Sequence, residues 1–220
     1  MLNNIKNLGK KKQNKIFCIG FNKTGTTTIK KVLKDFNIKL GNQKEAEVLL
    51  PNWYDRDFKA IFNYVKSATA FQDIPFSLPY TFIALEQEFP NAKFILTVRD
   101  NEEQWYNSIS KFHSKLWSDG ISIPQIEELK NATYRYKGLA YEYIKQVYNT
   151  PDEDLYNKSI LMKTYNNHNS LVKDYFRAHQ EKLIVINTSN KADYFRLCDF
   201  LKEKPLHDNF PWENKTSDIK

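Results

Sequence analysis

Apolar positions along the chain switch repeatedly between two spacings. Residues 16–20 form a short continuous apolar run ending in glycine, the pattern of a strand buried on both faces. Beyond it Ile29, Val32, Leu33 and Phe36 recur at spacings of three and four, which predicts a helix over 26–37 with one buried face. A helix over 55–67 follows through Phe58, Ile61, Phe62 and Val65, then a short strand over 68–72. Leu78, Phe82, Leu85 and Phe89 align along a helix over 78–89, and residues 94–98 make the clearest strand of the chain. Trp105, Ile109, Phe112 and Leu116 mark a helix over 101–117. Two long helical stretches near 124–148 and 153–178, a strand over 183–186 and a helix over 191–202 complete the series. Strands that alternate with helices and are apolar throughout predict an α/β fold, a parallel sheet covered on both faces. The helical stretches within 110–178 are expected to cap a cleft. In such sheets ligands bind beyond the carboxyl ends of the strands, so chemistry is expected just after each one.

Composition changes this picture little. A chain of 220 residues, 41% hydrophobic and 27% charged, fits one globular domain with a full core. Aromatic residues reach 15%, enough to pack helices and line a cleft. The net charge of +7 is concentrated: Lys6, Lys10, Lys11, Lys12 and Lys15 supply +5, leaving +2 for residues 16–220. The folded part is therefore not a basic nucleic-acid surface, and residues 1–15 read as a flexible basic tail. A single domain over 16–214 and a short tail over 215–220 complete the expected organisation. Cys18 and Cys198 sit in apolar patterns and form no disulfide framework. No signal peptide and no membrane span is apparent, which points to the cytoplasm. His113, His168, His179 and His207 share no metal-ligand spacing, and no metal is expected.

Three loops carry candidate chemistry. After the first strand comes Gly20-Phe21-Asn22-Lys23-Thr24-Gly25-Thr26-Thr27 and then a helix. Its two glycines have the spacing of a phosphate loop, a P-loop-type arrangement in which backbone N–H groups and a helix N-terminus converge on an anion. A nucleoside-triphosphatase loop places Lys and Ser/Thr directly after the second glycine, for the terminal phosphates and magnesium. Here Thr26 stands in that lysine position and Lys23 lies inside the loop. Poor provision for magnesium suits a donor with less charge to neutralise, such as a sulfuryl group. The strand over 94–98 ends in Arg99-Asp100, where arginine offers a fork for phosphate. Asp100 reads as a helix cap or as the group that orients Arg99. The strand over 68–72 ends in Asp73-Ile74-Pro75, where a carboxylate in an apolar rim is either a general base or a cap for the next helix.

Together these loops resemble the sulfotransferase superfamily, whose donor is 3′-phosphoadenosine-5′-phosphosulfate (PAPS). The order matches: a Lys-Thr-Gly-Thr-Thr loop, an acceptor-side loop, then Arg-Asp and a downstream Ser. Cytosolic sulfotransferases read His-Leu-Pro in the acceptor loop, with histidine as base; this chain has Asp73-Ile74-Pro75. Residues 71–76, 93–100, Trp105-Tyr106, Tyr165, His168-Asn169, 197–201 and 210–214 resemble a branch of small sulfotransferases. The resemblance implies that Asn22, Lys23, Thr24, Gly25, Thr26 and Thr27 hold the 5′-phosphosulfate. Arg99 and Ser108 would hold the 3′-phosphate, and Lys23 and Asp73 would carry catalysis. Family members place the serine eight residues after the arginine, where this chain has Asn107, so either residue is a candidate. They also place a lysine before the base, where this chain has Gln72. The acceptor expected is a hydroxyl of a carbohydrate or small alcohol. A magnesium-dependent P-loop kinase of a small hydroxyl compound and a non-catalytic nucleotide-binding protein remain the alternatives. Oligomeric state is not legible.

Overall fold

The structure, a computed structural model, describes residues 14–211. Lys6, Lys10, Lys11 and Lys12 and the segment 212–220 lie outside the described residues, and with them most of both expected tails. Lys15 lies within the described residues: its ammonium donates to Val65 O at 2.7 Å and to Ala68 O.

Four strands, β1 (Ile16–Cys18), β2 (Ala70–Phe71), β3 (Lys93–Thr97) and β4 (Leu183–Ile186), form one sheet in the order β2-β1-β3-β4, every pair parallel. Alternate strand residues feed two cores. Phe17, Phe71, Phe94 and Leu96 enter the larger one; Ile16, Cys18, Ala70, Ile95, Ile184 and Ile186 enter the smaller. The smaller core is closed by α1 (Thr26–Asp35), through Ile29, Val32 and Leu33, and by a C-terminal helix over Lys191–Leu201, through Tyr194, Leu197 and Cys198.

The chain between β1 and β2 carries α2 (Gln43–Glu47), α3 (Leu50–Tyr54) and α4 (Phe58–Val65). Then come α5 (Thr81–Glu88), α6 (Glu102–Trp117), α7 (Ile126–Asn131), α8 (Leu139–Tyr148) and α9 (Lys158–Tyr175), with the Lys191–Leu201 helix as α10. The larger core is strongly aromatic: Phe17 packs on Phe71, Phe76, Phe89 and Phe94 with ring centroids 5.6–5.9 Å apart. Such pairs add to the burial of the rings themselves.

The sequence reading differs from the structure in two places. The stretch near 124–148 is two helices, interrupted at 132–138 by a turn that Gly138 ends at φ 91°. Residues 43–54, given no element by periodicity, fold as α2 and α3, each five residues long. The strand order reverses direction between β1 and β3, so the loops that follow those two strands part from each other and leave a crevice.

Candidate functional site

Gly20 closes β1 directly against β3. A Cβ there would stand 2.2 Å from Thr97 Oγ1 and 2.4 Å from Thr97 O, so only glycine permits the approach. The loop then tightens on itself. The Thr24 hydroxyl donates to Phe21 O at 2.5 Å and shares a hydrogen bond with Thr97 Oγ1 at 2.5 Å. Lys23 adopts φ 70°, an uncommon left-handed conformation for a side-chain-bearing residue. Trp105 Nε1 donates to Asn22 O at 3.1 Å, and Arg99 Nε donates to Lys23 O at 2.6 Å. Gly25 turns the chain into α1 at φ 104°, against the side chain of Thr188. No side chain caps this helix, and its first turn holds no acid. The first N–H groups of α1 therefore keep their donor capacity and the positive end of the helix dipole for an anion.

Beyond β3, the backbone N–H of Arg99 donates to Tyr165 OH at 3.0 Å, and Tyr165 stacks on Trp105 with centroids 4.6 Å apart. Arg99 is thus fixed from α6, α9 and the first loop together. Asp100 neither caps α6 nor bonds Arg99. The cap is Asn101, whose Oδ1 accepts from Gln104 N at 2.8 Å, while Asp100 accepts from Gln104 Nε2 at 2.9 Å and Asn187 Nδ2 at 2.6 Å. The Lys23 ammonium lies 4.2 Å above the Phe112 ring. Burial and the neighbouring Arg99 push its pKa down, and Asp73 partly offsets this. Two partly buried cations side by side are a charge that a bound anion would neutralise.

Asp73 follows β2 at φ 54°, just before a cis Ile74–Pro75 bond. It does not cap α5, which begins eight residues later behind Tyr80. Its Oδ2 accepts from Gln72 Nε2 at 3.1 Å, whereas Oδ1 is buried with no hydrogen-bond partner in the structure. Burial raises its pKa to about 6. The nearby Thr26 hydroxyl opposes the rise, Glu47 adds to it, and Lys30 and Lys23 oppose it. A carboxylate poised there is ionised at neutral pH and still able to take a proton.

The three loops border one cavity of about 840 Å³. Asn22, Lys23, Gly25, Thr26, Thr27, Asp73 and Arg99 line it. Thr24 and Ser108 do not: Thr24 is fully buried beneath the loop, and Ser108 and Asn107 stand on α6 outside the wall. The wall also contains residues that sequence reasoning passed over. Lys30 follows Thr26 by one turn on the same face of α1, a spacing that marks it once the loop is recognised. Thr188 and Ser189 follow β4, where the strand-end rule directs attention. Gln43 and Glu47 come from a helix too short to show a period, and Arg135 from the turn between α7 and α8.

His168 and His113 take no part in the wall. The His168 Nε2 donates to Ile19 O at 2.8 Å, and His113 Nδ1 pairs with Tyr156 OH at 2.9 Å. Burial pushes their pKa values down to about 4 and about 3, so both are neutral core residues.

A phosphate-type loop after β1 and an arginine after β3 meet across the crevice, with a buried carboxylate after β2 in the same cavity. The family model described as Sulfotransferase domain matches residues 15–219. The chain belongs to the sulfotransferase family. A search of curated proteins returns no match. This sulfotransferase is an α/β protein whose family transfers sulfuryl groups, and among its described residues no helix is long and apolar enough to cross a membrane. The uncapped start of α1, with Lys23 and Arg99 beside it, has the donors that a phosphosulfate and a second phosphate require.

Proposed function

We propose that this sulfotransferase moves a sulfuryl group from PAPS to a hydroxyl of a carbohydrate or small alcohol, without a metal, in the cytoplasm. The observation that carries the reading is Asp73. It is a carboxylate with a pKa of about 6, in the same cavity as Lys23 and the free end of α1. When bound, the donor supplies a sulfuryl group attached to a phosphate leaving group.

The residues divide the work between them. Lys23, Gly25, Thr26 and Thr27 hold the 5′-phosphosulfate, and Asn22 and Thr24 shape the loop around it. Arg99 holds the 3′-phosphate; Ser108 and Asn107 of α6, which do not line the cavity, are not assigned to it. Asp73 takes the proton of the acceptor hydroxyl as the new oxygen–sulfur bond forms. The sulfur–oxygen bond to the phosphate breaks, and the charge left on that phosphate falls to Lys23 and the N–H groups of α1. Because these donors are already in place, they need no reorganisation as charge develops. A cavity of about 840 Å³ is in the upper part of the range of ligand sites, which suits a nucleotide-sized donor.

Thermal denaturation with adenosine 3′,5′-bisphosphate, compared with ATP and magnesium, tests the donor. A specific ligand at a hundredfold excess over its Kd stabilises by about 2.7 kcal/mol. The bisphosphate should stabilise and ATP with magnesium should not. The reverse result would replace the sulfotransferase reading with that of a kinase. Transfer of label from PAPS across a panel of sugars and small alcohols then tests the reaction; binding without any transfer would leave a nucleotide-binding protein.

A further inference from the structure

The cavity wall holds a group that the mechanism above leaves unused. Glu47 is a carboxylate only 4% exposed, at the end of α2. It accepts hydrogen bonds from Arg135 Nε at 2.5 Å, Tyr134 OH at 3.4 Å and Gln43 Nε2 at 3.3 Å. Gln43 Nε2 also donates to Ile74 O at 3.2 Å, the carbonyl next after Asp73. The Arg135 guanidinium lies 4.0 Å over the Tyr134 ring, and its Nη2 donates to Tyr134 OH at 3.1 Å. One carboxylate thus ties α2, the turn at 132–138 and the turn that carries Asp73.

Stability does not explain such a group. Removing a carboxylate from water costs several kcal/mol, and an apolar replacement of similar volume is often as stable or more so. The arrangement does have an electrostatic consequence at Asp73. The groups that face Asp73 are Lys23 from the first loop, Thr26 and Lys30 from α1, Glu47 from α2, and its neighbour Gln72. Tyr134, Tyr143 and Cys18 also feel its charge, and burial raises the pKa of each, so all three are neutral. Among these groups Glu47 alone opposes ionisation of Asp73, while Thr26 and the two lysines favour it.

We propose that Glu47 is a positioning residue for Asp73: through Gln43 it fixes the turn that bears the carboxylate, and its own charge, held by Arg135, faces that carboxylate across the wall. Without the charge, Lys23 and Lys30 act unopposed and Asp73 becomes a weaker base. With it, the base keeps its proton affinity in a cavity whose other charges are tuned to hold anions. Burial pulls the Glu47 pKa upward, and the paired Arg135 guanidinium opposes that pull. This inference rests on the reading of Asp73 as the base.

The test follows Asp73 directly and needs no acceptor. The carboxyl resonances are titrated by 13C NMR in the wild type and in Glu47→Gln, with Asp73→Asn to assign the signal. The Asp73 midpoint should fall by about half a pH unit or more in Glu47→Gln, since a like charge has been removed. The fold of Glu47→Gln is checked by circular dichroism and thermal denaturation, so that a moved midpoint is read in a native protein. An unmoved or raised midpoint overturns the proposal and leaves Glu47 a structural tie alone. If Glu47→Gln does not fold, because Arg135 is left unpaired, Gln43→Met keeps both charges and cuts the hydrogen bond to Ile74 O. The Asp73 midpoint should then shift as its turn loosens, and an unmoved midpoint is equally decisive. The base reading fails separately, by full turnover in Asp73→Asn.

Discussion

Replacing Asp73 by asparagine removes a charge that the fold holds against its own preference. Moving this carboxyl from its ordinary 3.8 to about 6 makes the folded state bind the proton more tightly than the unfolded chain does. At 1.36 kcal/mol for each tenfold change in affinity, the difference is about 3 kcal/mol. A group with a raised folded pKa contributes its stability fully below pH 3.8 and loses it as pH rises through about 6. The wild type at pH 7 therefore carries a penalty of up to about 3 kcal/mol that Asp73→Asn lacks. Asparagine preserves the size of the side chain and an oxygen for Gln72 Nε2. Urea denaturation of both proteins from pH 4 to pH 8 reads the difference. The variant should gain stability relative to the wild type between pH 4 and pH 7, reaching about 2–3 kcal/mol, while turnover falls at least ~100-fold. A stability difference that does not change with pH would refute the burial argument. Near-full turnover would refute the role of Asp73 as base.

Two further variants address the loop. Arg99→Ala removes a charged hydrogen bond to Lys23 O and the proposed 3′-phosphate partner, so Kd for adenosine 3′,5′-bisphosphate should rise about 10- to 100-fold by calorimetry; a change under threefold would place the 3′-phosphate elsewhere. Gly25→Ala puts a Cβ 2.3 Å from Thr188 Oγ1 at φ 104°, so it should lose at least about 1–2 kcal/mol in denaturant and most bisphosphate affinity; wild-type values for both would mean that the turn into α1 relaxes freely.

How much of this was legible depended on the range of the interaction concerned. β4 is read at its observed bounds and β3 to within one residue, because a continuous apolar run needs no partner to be recognised. The start of α1 follows from the same local logic, since the glycines and the apolar period meet at Thr26. The stretch near 124–148 reads as one helix because its apolar period survives the break; Gly138 was the available sign of a turn. That break matters, since it delivers Tyr134 and Arg135 to the cavity. The helices α2 and α3 are too short to show a period at all, and Glu47 was hidden with them. For Asp73 the strand-end position was readable, but its burial and the approach of Lys30, Lys23 and Glu47 were not, since only the folded chain brings them near.

The same site shows why its residues sit where they do. Lys23 and Asp73 each bear a side chain at positive φ, a conformation that costs of order 1–3 kcal/mol when the surroundings enforce it. Each strained residue follows a strand of the sheet and is tied by its neighbours: Lys23 through Arg99 Nε on its carbonyl, Asp73 through Ser77 N on its own carbonyl at 2.9 Å. The left-handed turn takes each residue off the line of its strand and into the cavity beyond the sheet. Phe71 and Phe76 flank Asp73 along the chain and pack on Phe17 in the larger core, so the turn that bears Asp73 is anchored in close-packed aromatic rings. The geometry of the proposed site is a property of the sheet and its core as much as of the loops, because Phe71 and Phe76, on either side of Asp73, are core residues.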